Sequence, residues 1–218
     1  MERMTTTRST TTKITAIMGI ITLALIFFVP PPKPAGARSA NPPTAKTGAP
    51  GQVTCSDCHG DFTENDGQGF IQLIGLPASY APGDTIPLAI GIGRTALVRW
   101  GFEVTALTSG NTAAGTLVDD NMFVGKQTAS SKQYIGQTTS KGFDGTYAGQ
   151  ANGAVWGFEW IAPDAGAGTV TFYFAGIAAN NSGDEAGDYV YSSSLSATEG
   201  TTTPVQATTW GDIKKTYR

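Results

Sequence analysis

The chain has 218 residues, 28 of them Gly and 12 Pro, with only 14% charged. That is enough for one domain, and the composition favours turns and strands over long helices. Of the 14 basic residues, Arg3, Arg8, Lys13 and Lys33 lie in the first 37 positions, against Glu2 alone of the 17 acidic ones, so the remainder carries a formal charge of −6. Such a balance excludes nucleic acid as the expected partner. With two Cys and one His in all, there is no material for a second Cys- or His-based centre.

The first 37 residues have the layout of a secretory signal peptide. A basic start is followed by an uncharged apolar run from Ile14 to Val29, three prolines (Pro30, Pro31, Pro32) and an A-x-A site at Ala35-Gly36-Ala37. The run is long for a signal and short for a span, so an uncleaved membrane anchor is the alternative. Both place the rest of the chain outside the cytoplasm, whether periplasmic, secreted or on the cell surface.

Residues 38–69 read as an irregular segment. A Pro- and Gly-rich lead-in, RSANPPTAKTGAPG, runs directly into Cys55-Ser56-Asp57-Cys58-His59. Cys-x-x-Cys-His is the attachment sequence of a c-type haem, with Cys55 and Cys58 as the thioether donors and His59 as the proximal iron ligand. The motif uses every cysteine and the only histidine, and the polar stretch GDFTENDGQG after it puts it on a loop or a single helical turn. Three other chemistries compete. A Cys55–Cys58 disulfide suits an oxidising compartment. A thioredoxin-like redox pair needs a βαβ context that is missing. Structural zinc needs a fourth donor.

From Phe70 the pattern becomes that of strands. Phe70–Ile74 is followed by a turn at Ala81-Pro82-Gly83-Asp84 and a strand over Thr85–Ile92, in which Pro87 suggests a sheet edge. Leu97–Leu107 alternates, with Trp100, Phe102, Val104 and Ala106 on one face and Arg99, Glu103 and Thr105 on the other. A polar stretch, Gly110–Lys132, predicts a long loop or short edge strands. Gln133–Thr138, Ala154–Ile161, Thr169–Ala175 and Tyr189–Leu195 complete the set. Trp156, Phe158 and Trp160 share one face and read as core rather than a ligand platform. Seven or so short strands without an amphipathic helix predict an all-β, immunoglobulin-like antiparallel sandwich over residues 70–198. Residues 199–218 read as a Thr-rich linker and short tail.

These residues, in this order, resemble the reelin-type (Reeler) β-sandwich family and its bacterial members with an N-terminal haem motif. The resemblance rests on NPPTAKTGAPG before the Cys-x-x-Cys-His, Tyr80-Ala81-Pro82-Gly83 and Gly101–Ala106. It continues through Trp156–Pro163, Val170–Tyr173 and Asn180–Tyr189, and covers about Asn41 to Leu195. It implies an immunoglobulin-like sandwich on an extracellular or membrane-associated protein and no particular enzyme activity. The chain departs from the pattern at Gln137, where members of the family carry a His. A bis-histidine haem is therefore impossible within one chain.

The sixth iron position is open to Met122, the only methionine beyond the leader, to Lys46, or to water. Met122 also reads as loop packing. Asp184, Glu185 and Asp188 lie in NNSGDEAGD, a loop whose alternating carboxylates could take calcium, although it lacks EF-hand spacing and reads better as a solvated turn. Three functions are consistent with these residues. The first is a monohaem c-type cytochrome-like electron-transfer protein with an unknown redox partner. The second is a non-enzymatic binding or adhesion module with a structural Cys55–Cys58 disulfide. The third is a haem sensor or peroxidase-like protein. None assigns a catalytic side chain.

Overall fold

The computed structural model describes Met1 and residues 38–200. The signal-peptide or anchor segment and the tail after Gly200 lie outside the described residues. The chain divides into two units, Met1–Pro34 and Ala35–Arg218, and all the elements named below belong to the second.

A single 3-10 turn, Cys55–Asp57, precedes ten strands among the described residues. They are β1 (Gly69–Ile74), β2 (Ser79–Tyr80), β3 (Thr85–Arg94), β4 (Arg99–Thr108) and β5 (Thr116–Val118), then β6 (Val124–Ala129), β7 (Lys132–Gln137), β8 (Ala154–Ile161), β9 (Thr169–Ala179) and β10 (Tyr189–Glu199). They form two sheets, β1-β3-β8-β5 and β2-β10-β9-β4-β7-β6. Every pairing between these strands is antiparallel except the two-residue contact of β2 with β10. This is the all-β, immunoglobulin-like sandwich expected from the sequence.

The alternation of the strands builds the core. Trp100, Phe102, Val104, Phe172 and Phe174 from one sheet meet Ile90, Ile92, Trp156, Phe158 and Trp160 from the other, all buried. Burying each such side chain contributes roughly 1.5–3 kcal/mol. Trp160 packs edge-on against Phe172 at 5.0 Å, and Phe102 lies tilted against Trp156 at 4.6 Å. Each buried indole N–H finds a carbonyl: Trp156 donates to Gly145 O at 2.7 Å and Trp160 to Ala114 O at 2.9 Å. That satisfies the polar atom that burial would otherwise leave costly.

Two expectations change. Pro87 does not mark an edge: β3 lies between β1 and β8, and Pro87 pairs with Glu159. It is tolerated because β1 ends at Ile74 opposite Ala89, so Pro87 falls beyond the last β1 pair. Likewise, Glu103 and Thr105 point away from the core yet are fully buried. The outer face of the six-stranded sheet is not bare, because residues 38–59 lie across it. Pro42 rests on Gly136, and its carbonyl accepts from Gln127 Nε2 at 2.8 Å. The Lys46 backbone N–H donates to Glu103 Oε2 at 2.6 Å. A tight hairpin bridging Thr47 and Thr54 buries Ala49, and Gln52 Nε2 donates to Tyr134 Oη at 2.8 Å. The polar stretch Gly110–Lys132 contains β5 and β6, which are both edge strands.

Candidate functional site: a cleft around Cys55, Cys58 and His59

The Cys-x-x-Cys-His motif forms a 3-10 turn because its entry is capped. Thr54 Oγ1 accepts from Ser56 N–H at 3.3 Å, and Cys55 O accepts both Cys58 N–H (3.2 Å) and His59 N–H (3.0 Å). Glu64 ties this turn to the sandwich, accepting from Thr54 Oγ1 at 2.6 Å and from Ser192 Oγ of β10. Phe62 stacks on Tyr189 at 4.0 Å, and Asp66 holds Arg94 at 2.7 Å and Tyr191 Oη at 2.8 Å. The polar stretch after the motif is thus bound to the sheets rather than hanging free.

The turn faces a cavity of about 260 Å³ that opens to solvent at the end of the six-stranded sheet. Cys55, Cys58 and His59 all line it. Pro42, Pro43 and Ile177 supply apolar wall, and Arg38 and Arg99 supply positive charge. Gln137, at the end of β7, lines the same cavity, with its Oε1 accepting from Phe102 N–H at 2.8 Å.

His59 and Asp188 form a buried pair, Nδ1 to Oδ2 at 2.8 Å, and are 5% and 2% exposed. The other Asp188 oxygen accepts Asn180 N–H at 3.1 Å. Sequence reasoning missed this partner. Residues 59 and 188 lie far apart in the chain, and the only local signal at Asp188 was a loop rich in acidic and Asn residues. Asp188 is turned onto His59, while Asp184 accepts from Ser182 Oγ (2.7 Å) and Ala186 N–H (3.2 Å), bonds that hold its carboxyl below its usual range. Among the described residues, no group of three or more His, Cys, Asp or Glu side chains is placed to hold a metal ion.

Cys55 packs against Ala175, Ile177 and Val190, and no disulfide joins it to Cys58. The disulfide expected as an alternative is therefore not what the structure holds. Burial first, then the charges of Glu103 and Glu64, push the Cys55 thiol far above its ordinary range. A free thiolate is disfavoured there, which argues against thiol–disulfide exchange at Cys55. A thioether carries no charge and suits the same environment. Two sulfurs and an imidazole on one partly apolar cavity, with cationic side chains at hand for carboxylates, fit a covalently attached haem. Cys55 and Cys58 would hold it and His59 Nε2 would face its iron. Met122 lies elsewhere. It is 52% exposed in the β5–β6 connection and is not among the residues lining the cavity.

No family model matches the chain, and no curated protein matches it. Solved structures are similar at low identity. The human F-spondin reeler domain (fragment 1) is 18% identical, with a TM-score of 0.42 over 63% of this chain and 93% of that one. The Reelin-N domain of F-spondin is 19% identical, with a TM-score of 0.44 over 64% and 91%. The seventh ScaB type I cohesin of Pseudobacteroides cellulosolvens is 8% identical, with a TM-score of 0.42 over 63% and 96%.

Proposed function

We propose that this β-sandwich is an extracytoplasmic module carrying one covalent c-type haem in the cleft beneath residues 38–59, and that it exchanges single electrons with a partner. The observation that supports this is the convergence of Cys55, Cys58 and His59 on one cavity, with the imidazole held by a buried carboxylate. When bound, such a group supplies one-electron redox chemistry at its iron. The protein's part is to hold and shield. Cys55 and Cys58 anchor the cofactor, His59 supplies its imidazole, and Pro42 and Ile177 keep water from the wall. Arg38 and Arg99 offer positive charge to the carboxylates that such a group carries. The leader-like N-terminus supports an extracytoplasmic location.

A second reading is a non-enzymatic binding module whose cleft receives a different ligand. Its support is the completeness of the sandwich core without the cleft. One experiment separates the two. The full chain is produced with haem-maturation machinery, washed with acid–acetone, and assayed by pyridine haemochrome and intact mass. Retained haem, with the mass of one haem added to the mature chain, is the expected result. Complete loss of haem to the organic phase leaves the binding module. Rapid carbon monoxide binding to the ferrous protein would move the haem reading towards a sensor or peroxidase-like role.

A further inference from the structure

We propose that Asp188 is the positioning residue of this site. Its carboxylate fixes His59 as the Nδ1–H tautomer, leaves Nε2 as the iron ligand, and strengthens that ligand by adding negative charge behind it. The inference rests on the haem reading for its consequence at the iron, but not for the tautomer.

The geometry is fixed at both ends. The His59 backbone N–H is tied to Cys55 O at 3.0 Å, which holds its Cα against the 3-10 turn. The Asp188 carboxylate is aimed by Asn180 N–H on its far oxygen. Its chain neighbours are held as well: Gly187 N–H donates to Asp61 Oδ2 at 2.9 Å, and the Tyr189 ring stacks on Phe62. A carboxylate can only accept, so the imidazole must present N–H to it. The remaining ring nitrogen keeps its lone pair for the cavity. A neutral carbonyl behind the ring would orient it equally. A carboxylate also makes the imidazole a stronger donor, which favours the ferric state of an iron bound to it. The pairing joins the haem motif to the loop before β10, so the tertiary fold, and not the pentapeptide, prepares the ligand.

The test uses Asp188→Asn, which keeps an oxygen for Asn180 N–H but offers an amide N–H to His59. That donor requires the opposite tautomer, with the proton on Nε2. In the full chain produced without haem, long-range nitrogen–proton correlation should show the His59 proton on Nδ1 in the wild type and on Nε2 in Asp188→Asn. In the haem-loaded chains, pyridine haemochrome should give the same haem content for both. The variant should have a higher reduction potential and should release His59 to external imidazole at about 10–100-fold lower concentration. An unchanged tautomer in the variant overturns the proposal, as does an unchanged potential with a changed tautomer. If Asp188→Asn does not fold, Asp188→Ala is read instead: mixed tautomers support the proposal, and a single Nδ1–H form overturns it. A wild-type chain with the expected tautomer that takes up no haem would sink the haem reading while leaving the positioning role intact.

Discussion

Glu103 shows how far one residue can depart from its place in a pattern. Alternation puts it on the outer face of β4, where a carboxylate belongs in water. The overlying segment buries it completely, leaves Oε1 without a hydrogen-bond partner, and gives Oε2 only the Lys46 N–H. Burial outweighs that hydrogen bond and the charge of Lys46, and pushes the carboxyl up from 4.5 to about 8. The unfolded chain then releases this proton at lower pH than the folded one. Stability from this group is full below about pH 4.5 and declines as pH rises to about 8. We expect melting temperature to fall across that window in the wild type, and Glu103→Gln to flatten the fall while keeping an acceptor for Lys46. Parallel melting curves of the two proteins against pH would show that Glu103 is not the group responsible. Met122 supplies the opposite case, a residue singled out by scarcity that the fold leaves exposed. Met122→Ala should leave the ferric visible spectrum of the haem-loaded chain unchanged. Disappearance of a red-edge charge-transfer band in that variant would restore it as a ligand.

At the scale of elements, the site depends on how residues 38–59 lie on the six-stranded sheet. That contact needs a bare backbone on the sheet side. A Cβ at Gly136 would come within 2.5 Å of Pro42 Cγ and 2.7 Å of Phe102 O. Neither neighbour is the end of a flexible side chain, so the segment or the strand must shift. Gly136→Ala should cost about 1–3 kcal/mol, as overpacking does, and should loosen the segment before the sandwich. Chemical denaturation would measure the cost. Amide hydrogen exchange should show earlier loss of protection at Lys46, whose N–H is bonded to Glu103, than at β9. Equal protection at both would mean that segment and sheet open together. Gly69 is a similar close approach, with Tyr191 Oη 2.5 Å from a Cβ there. The strand that comes after the motif is thereby pressed onto β10.

For the molecule as a whole, the core between the sheets is complete without the cleft, since Cys55 belongs to a small separate cluster on the outer face. Cys55→Ala/Cys58→Ala should therefore keep its β-type far-ultraviolet spectrum and a cooperative melt, losing about 1–2 kcal/mol for the trimmed outer cluster. A double variant without cooperative unfolding would put the cleft inside the folding unit instead.

The sandwich was legible in the sequence because strand alternation is local. Trp100-x-Phe102-x-Val104 and Trp156-x-Phe158-x-Trp160 declare their buried face two residues at a time. The Cys-x-x-Cys-His pattern is legible for the same reason, its two thiols and one imidazole falling within five residues. The environment of the motif was not local. By sequence Asp188 is a loop carboxylate, Glu103 a residue of the face opposite Trp100 and Phe102, and Pro87 an edge residue. Each was decided by a segment far away in the chain that came to lie against it. Alternation says which way a side chain points but not what will cover the outward face. Only the packing of residues 38–59 across the sheet, and of the loop before β10 against His59, turned an outward carboxylate into a buried acid and a turn residue into the partner of the imidazole.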